Sequence, residues 1–276
     1  MIELKCRASQ PGYAFIGLHG ALMEAASLLP LGAVLAEAGD GLLLDLAGHG
    51  AAMDQALTGL PYDPESLGCE ICSRPALTAW MADMPEDRPL VLLGHSLGAL
   101  VTIWLALFSP LRGRIAHVIL LDPPLVLDLS VPGQGELLFD LGFNLGGQTL
   151  AATQGLPTAE QHRAYGLAAF FLGMFRDSSP AQAGHSMPAW LEQLARSTPC
   201  ELIVGLRHQV ELSAEGFRLD LGTVVGPGHV PSHLPLLRLH GVADAGHRLD
   251  TSAATRRLIA ELVPELGRPI PAQPAP

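Results

Sequence analysis

Apolar residues along this chain gather into short unbroken runs, divided by longer stretches of mixed polarity. Tyr13–Leu18, Leu42–Leu44, Leu90–Leu93 and His117–Leu121 are four such runs in the first half. Each reads as a strand buried on both faces, because a half-exposed strand would alternate apolar with polar. Leu28–Ala38 and Ser73–Met84 carry helical spacing, the former stopping at Gly39-Asp40-Gly41. Ala99–Leu107 is apolar all round, which describes a helix with no solvent face. Strands alternating with helices predict an α/β fold: a mostly parallel central sheet with helices on both faces.

The rhythm lapses from about Val126 to Pro199. Phe139–Leu150, Ala159–Phe175 and Ala189–Ala195 look helical there, with Gly and Pro between them. Alternation resumes at Cys200–Val204 and Leu234–Leu239 and closes with a helix over Thr251–Val263. The predicted organisation is a core over 1–125, a helical insertion over 126–199, the second part of the core over 200–263, and a flexible Pro-rich tail over 264–276.

Composition narrows the function classes. The chain has 276 residues, 49% apolar and only 16% charged, enough to bury the core of one large domain. No run is long enough to span a bilayer, and Met1–Arg7 lacks a signal peptide's apolar segment, so a soluble cytoplasmic protein is expected. A net charge of −11 argues against nucleic acid and against an anionic membrane as partners. Of four cysteines, Cys69 and Cys72 form a single CxxC in a stretch that reads as a polar loop leading into a helix, and the expectation is reduced thiols. A four-ligand zinc site would need distant partners, so neither a metal nor an organic cofactor is expected.

The chemistry is concentrated in Gly94-His95-Ser96-Leu97-Gly98, a G-x-S-x-G between a strand and the buried helix. In that context the serine occupies a strained turn with its hydroxyl exposed, and the flanking glycines relieve collisions with the neighbouring strand and helix. The Leu97 N–H opens the helix and points at any oxyanion formed on a substrate.

The chain resembles the α/β-hydrolase fold over nearly its whole length. The matching pieces are His19-Gly20 after a strand, Asp45-Leu46-Ala47-Gly48-His49-Gly50 after the next, Gly94–Gly98, and Ala245-Gly246-His247 before the last helix. The resemblance implies that the insertion after Asp122 is a cap over the active site. It also implies Ser96 as nucleophile and His247 as general base, with His229 second. Both Ala21, beside Gly20, and Leu97 would supply oxyanion N–H donors, while His95 packs the elbow. Asp45 and His49 read as structural, and His117, His162 and His208 as surface or helix residues.

The triad acid departs from the family pattern. Where most relatives carry G-x-x-D, this chain reads Gly205-Leu206-Arg207-His208-Gln209. Asp122, one strand earlier, takes the position some relatives use, with Glu211, Glu215 and Asp220 as alternatives. Asp244 would serve only in a parse that takes Leu239–Asp244 as the penultimate strand and its G-x-x-D, and no histidine lies beyond His247 to act as base there. The expected reaction is serine hydrolysis of a small apolar carboxylic ester through an acyl-enzyme. Within the fold the rivals are a C–C bond hydrolase and a lactone or amide hydrolase. Outside hydrolysis they are a cofactor-free oxygenase, lyase or cyclase, and a ligand-binding protein. A homodimer is left open.

Overall fold

The computed structural model describes residues 1–21, 23–52, 64–123, 187–205, 234–243, 245–246 and 248–268. Strands β2 (Tyr13–Leu18), β3 (Gly39–Leu44), β4 (Leu90–His95), β5 (Ile115–Leu121), β6 (Cys200–Gly205) and β7 (Leu237–Val242) run parallel. A short β1 (Ile2–Leu4) adds antiparallel to β3, and the described sheet has the order β1-β3-β2-β4-β5-β6-β7. Every residue of β2 and β4 is buried, which is why these strands read as continuous apolar runs. Neither β1, three residues long, nor the glycine-bearing start of β3 carries such a run.

Helices α1 (Leu29–Leu35) and α6 (Ala253–Leu262) cover one face of the sheet. Helices α2 (Pro64–Ser73), α3 (Pro75–Ala82), α4 (Leu97–Phe108) and α5 (Met187–Ala195) cover the other. The first ten residues of α4 are all buried, consistent with its lack of a polar stripe. Gly68 of α2 lets the Trp104 ring of α4 lie directly against the backbone, and a Cβ there would overlap that ring.

Three expectations change. Cys69 and Cys72 lie within α2, not in a loop, because Pro64 and Glu65 start that helix well before Ser73. Met187–Ala195, assigned above to the insertion, packs on α4 as part of the core. Leu191 and Leu194 are fully buried there, worth about 2 kcal/mol each in apolar burial. At the other end, Val263–Glu265 forms a 3-10 turn and Leu266 is buried, so the packed chain reaches past 263. The rest of the expected cap and of the tail lies outside the described residues. Among those described, no helix is long and apolar enough to cross a membrane.

Candidate active site

Ser96 stands between the last residue of β4 and the first of α4, at φ 52° and ψ −118°. A non-glycine residue there costs on the order of 1–3 kcal/mol, and its surroundings must enforce it. The Ser96 N–H donates to the carbonyl of Leu121 on β5 at 2.9 Å, and its own carbonyl accepts from Ala99 at 3.0 Å and Leu100 at 3.3 Å. A Cβ on Gly94 would come within 2.5 Å of Ala99 Cα and Thr102 Oγ1. One on Gly98 would overlap the Leu18 carbonyl and lie 2.5 Å from that of His19. Both glycines are therefore required by close approach, as the motif predicted. Leu97, the first helical residue, carries one of the N–H groups that a helix start leaves without an intrahelical acceptor.

The turn after β2 is set by a buried histidine. His19 donates from Nδ1 to the Gly20 carbonyl at 2.7 Å, while its Nε2 accepts from the Leu46 N–H at 3.0 Å. That pairing fixes the neutral tautomer, and burial pushes the pKa down to about 4. The Gly20 carbonyl also accepts from Met23 N–H at 3.2 Å. The Gly20–Ala21 peptide is planar and trans, so the Ala21 N–H points away from those two donors. Gly20 faces the nucleophile: a Cβ on it would lie 3.1 Å from Ser96 Cβ and 3.0 Å from Nδ1 of the buried His95.

Asp45 and His49 behave as scaffold. The Asp45 carboxylate accepts from Ala25 N–H at 2.8 Å, and the His49 ring centre lies 5.2 Å from that of His19. Burial pushes the Asp45 pKa up; the Ala25 N–H and the nearby amino-terminal charge reverse this and hold the carboxyl below its usual range.

Asp122 follows β5 directly, partly exposed, at φ 43°. Its N–H donates to Ile203 on β6 at 2.8 Å. Because Leu121 holds the Ser96 N–H, Asp122 and Ser96 stand on adjacent strand ends at the C-terminal edge of the sheet, the edge where α/β folds build their sites. Ser96 and Asp122 are the two non-glycine residues with positive φ among those described. His247 lies outside the described residues, as do His229, Asp244, Glu211, Glu215 and Asp220. The chain on either side of His247 is placed: a Cβ on Gly205, at the end of β6, would lie 2.7 Å from the Ala245 carbonyl and overlap that of Gly246.

A second polar cluster was not legible in the sequence. His117, expected at a surface or in a helix, is buried in β5, with Nε2 3.0 Å from Glu201 Oε1. His240 Nε2 lies 2.7 Å from Glu201 Oε2, and Arg238 donates to Oε1 at 2.8 Å and 2.5 Å. Arg238 also reaches Glu265 at 2.8 Å. Burial pushes the Glu201 pKa up, but hydrogen bonds from His117, His240 and Arg238 bring it down to about 2. His117 and Glu201 lie near the starts of β5 and β6, while His240 is level with Ile203 and Leu121. Among the described residues, no group of three or more His, Cys, Asp or Glu side chains is arranged to hold a metal ion.

No protein-family model matches the chain, and no curated protein matches it in sequence. Solved structures do. MenH from S. aureus superposes with a TM-score of 0.64 at 14% identity, covering 96% of this chain and 97% of that one. The epoxide hydrolase CorEH superposes at 0.58 and 15% identity, covering 92% and 91%. Est816, described as an N-acyl homoserine lactone degrading enzyme, superposes at 0.58 and 16% identity, covering 96% and 95%. The strained serine between β4 and α4, the sheet order and these superpositions agree: the chain has the α/β-hydrolase fold.

Proposed function

We propose that this protein is a serine hydrolase acting on a small apolar carboxylic ester. The observation that carries the proposal is Ser96 at φ 52°, enforced by Gly94, Gly98 and the bond to Leu121. A strained serine with its hydroxyl at a helix start is what nucleophilic attack on a carbonyl requires. In this reading the Ser96 hydroxyl oxygen bonds to the ester carbonyl carbon while its proton passes to His247. The N–H groups of Leu97 and Ala21 hold the developing oxyanion. Collapse breaks the carbon–oxygen bond, and the alcohol leaves with the proton from His247. Water then repeats the sequence, releasing the acid and restoring Ser96. Asp122 orients His247 and stabilises its charged form. A serine at the elbow supports acyl transfer over chemistry that needs a carboxylate nucleophile.

The test is intact-mass measurement after treatment with a fluorophosphonate. The expected result is one adduct on the native protein and none on Ser96→Ala or His247→Ala. Absence of an adduct on the folded native protein, with small probes included, would overturn the proposal.

A further inference from the structure

We infer that the side chain of Met23 forms the wall of the substrate pocket beside Ser96 and sets the size of the apolar group accepted there. The inference rests on the hydrolase reading above and deepens it.

The placement follows from Gly20. A Cβ at that position would lie 2.9 Å from Met23 Sδ and 3.1 Å from Ser96 Cβ, so the thioether and the nucleophile converge on one small volume. Met23 is held there by its backbone. Its N–H closes a turn onto the Gly20 carbonyl at 3.2 Å, and the same carbonyl is anchored by the buried His19 ring at 2.7 Å. The turn thus carries both the proposed oxyanion donor, Ala21, and the thioether, with a fixed relation between them. Polar backbone and a polarisable apolar group thus come from one turn beside the nucleophile.

The chemistry suits an apolar substituent. Met23 is partly exposed, so its side chain is not wholly enclosed by the core. Methionine has an unbranched side chain that adapts its shape to irregular apolar neighbours. A group bonded to the carbonyl under attack, when seated against Sδ, gains apolar contact. A longer one meets the sulfur and terminal methyl as a barrier. Truncation beyond Cβ removes that barrier while leaving the turn's backbone bonds in place.

The experiment compares rates of Ser96 labelling by a short-chain and a long-chain alkyl fluorophosphonate, each followed by intact mass. For Met23→Ala, the long-to-short rate ratio should rise roughly tenfold over native, the discrimination an apolar pocket obtains from small changes in volume. Met23→Leu, which conserves volume, should keep the native ratio within about twofold. Met23→Gln keeps the length and adds a polar tip, and should slow the long-chain probe alone; it gives an independent reading if Met23→Ala fails to fold. If both probes label Ser96 and the ratio is unchanged in these variants, the inference falls while the hydrolase reading stands. If neither probe labels the native protein, both fall together.

Discussion

At the C-terminal edge of the sheet, His19 is buried as a neutral ring with both nitrogens engaged by backbone groups. Elsewhere in the sheet, His117 and His240 are buried against the two oxygens of the Glu201 carboxylate, with Arg238 completing the set. Both regions place imidazoles where water cannot reach, and they solve the desolvation problem in opposite ways. His19 gives up its second proton and serves as a backbone spacer. The Glu201 cluster keeps its charge and surrounds it with donors. The first arrangement fixes the turn at Gly20 beside Ser96. The second ties together β5, β6, β7 and the segment after α6, which carry Asp122 and flank His247. The turn beside Ser96 is set by neutral hydrogen bonds, and the joining of β5, β6 and β7 by buried charge.

The widest separation between the two regions should come from Ser96→Ala, which is expected to lower ester turnover by at least about 10^4-fold with little change in melting temperature. Glu201→Gln is the mirror experiment. It leaves Arg238 against a neutral partner and should cost about 3 kcal/mol or more in denaturant unfolding. Fluorophosphonate labelling per folded molecule should stay within about twofold of native; a collapse of labelling would show that the two regions are not separable.

Acid should act on them in sequence. Between its ordinary value of 6.5 and about 4, His19 binds a proton in the unfolded chain but not in the folded one, so stability falls as pH drops through that window, by about 3 kcal/mol. Glu201 is depressed from 4.5 to about 2, so its contribution is complete above pH 4.5 and is lost on further acidification. His19→Gln should remove the upper loss and Glu201→Gln the lower one, measured as unfolding free energy against pH. The smallest effect tests the start of α6. Ser252 caps that helix by accepting from Thr255 N–H at 3.2 Å, and Ser252→Ala should cost about 1 kcal/mol without altering the acid profile.

Much of this arrangement was legible from local pattern. Tyr13–Leu18 and the elbow needed only neighbours in sequence, because continuous burial and the G-x-S-x-G write themselves into a few residues. The start of β3 was hidden because Gly39 and Gly41 look like a helix stop. They are strand residues whose missing side chains make room for the rings of Tyr13 and Phe15, their register partners on β2. Strand β7 was placed three residues early because Arg238 and His240 interrupt its apolar run. Their buried partner, Glu201, is 37 and 39 residues away. The CxxC helix α2 was obscured by its polar first turn. In each case the missing information was a partner distant along the chain.

The elbow is assembled from three separate stretches: the Leu18 and His19 carbonyls against Gly98, the Gly94–Gly98 turn itself, and the Leu121 carbonyl on Ser96. None of them alone can hold the serine at its positive φ. Three neighbouring strands must be in register before the hydroxyl is presented, so a partly folded chain emerging during synthesis would expose an ordinary, unreactive serine. Under the proposed hydrolase reading, reactivity toward an acylating reagent would double as a report on the completion of folding, read at a single atom.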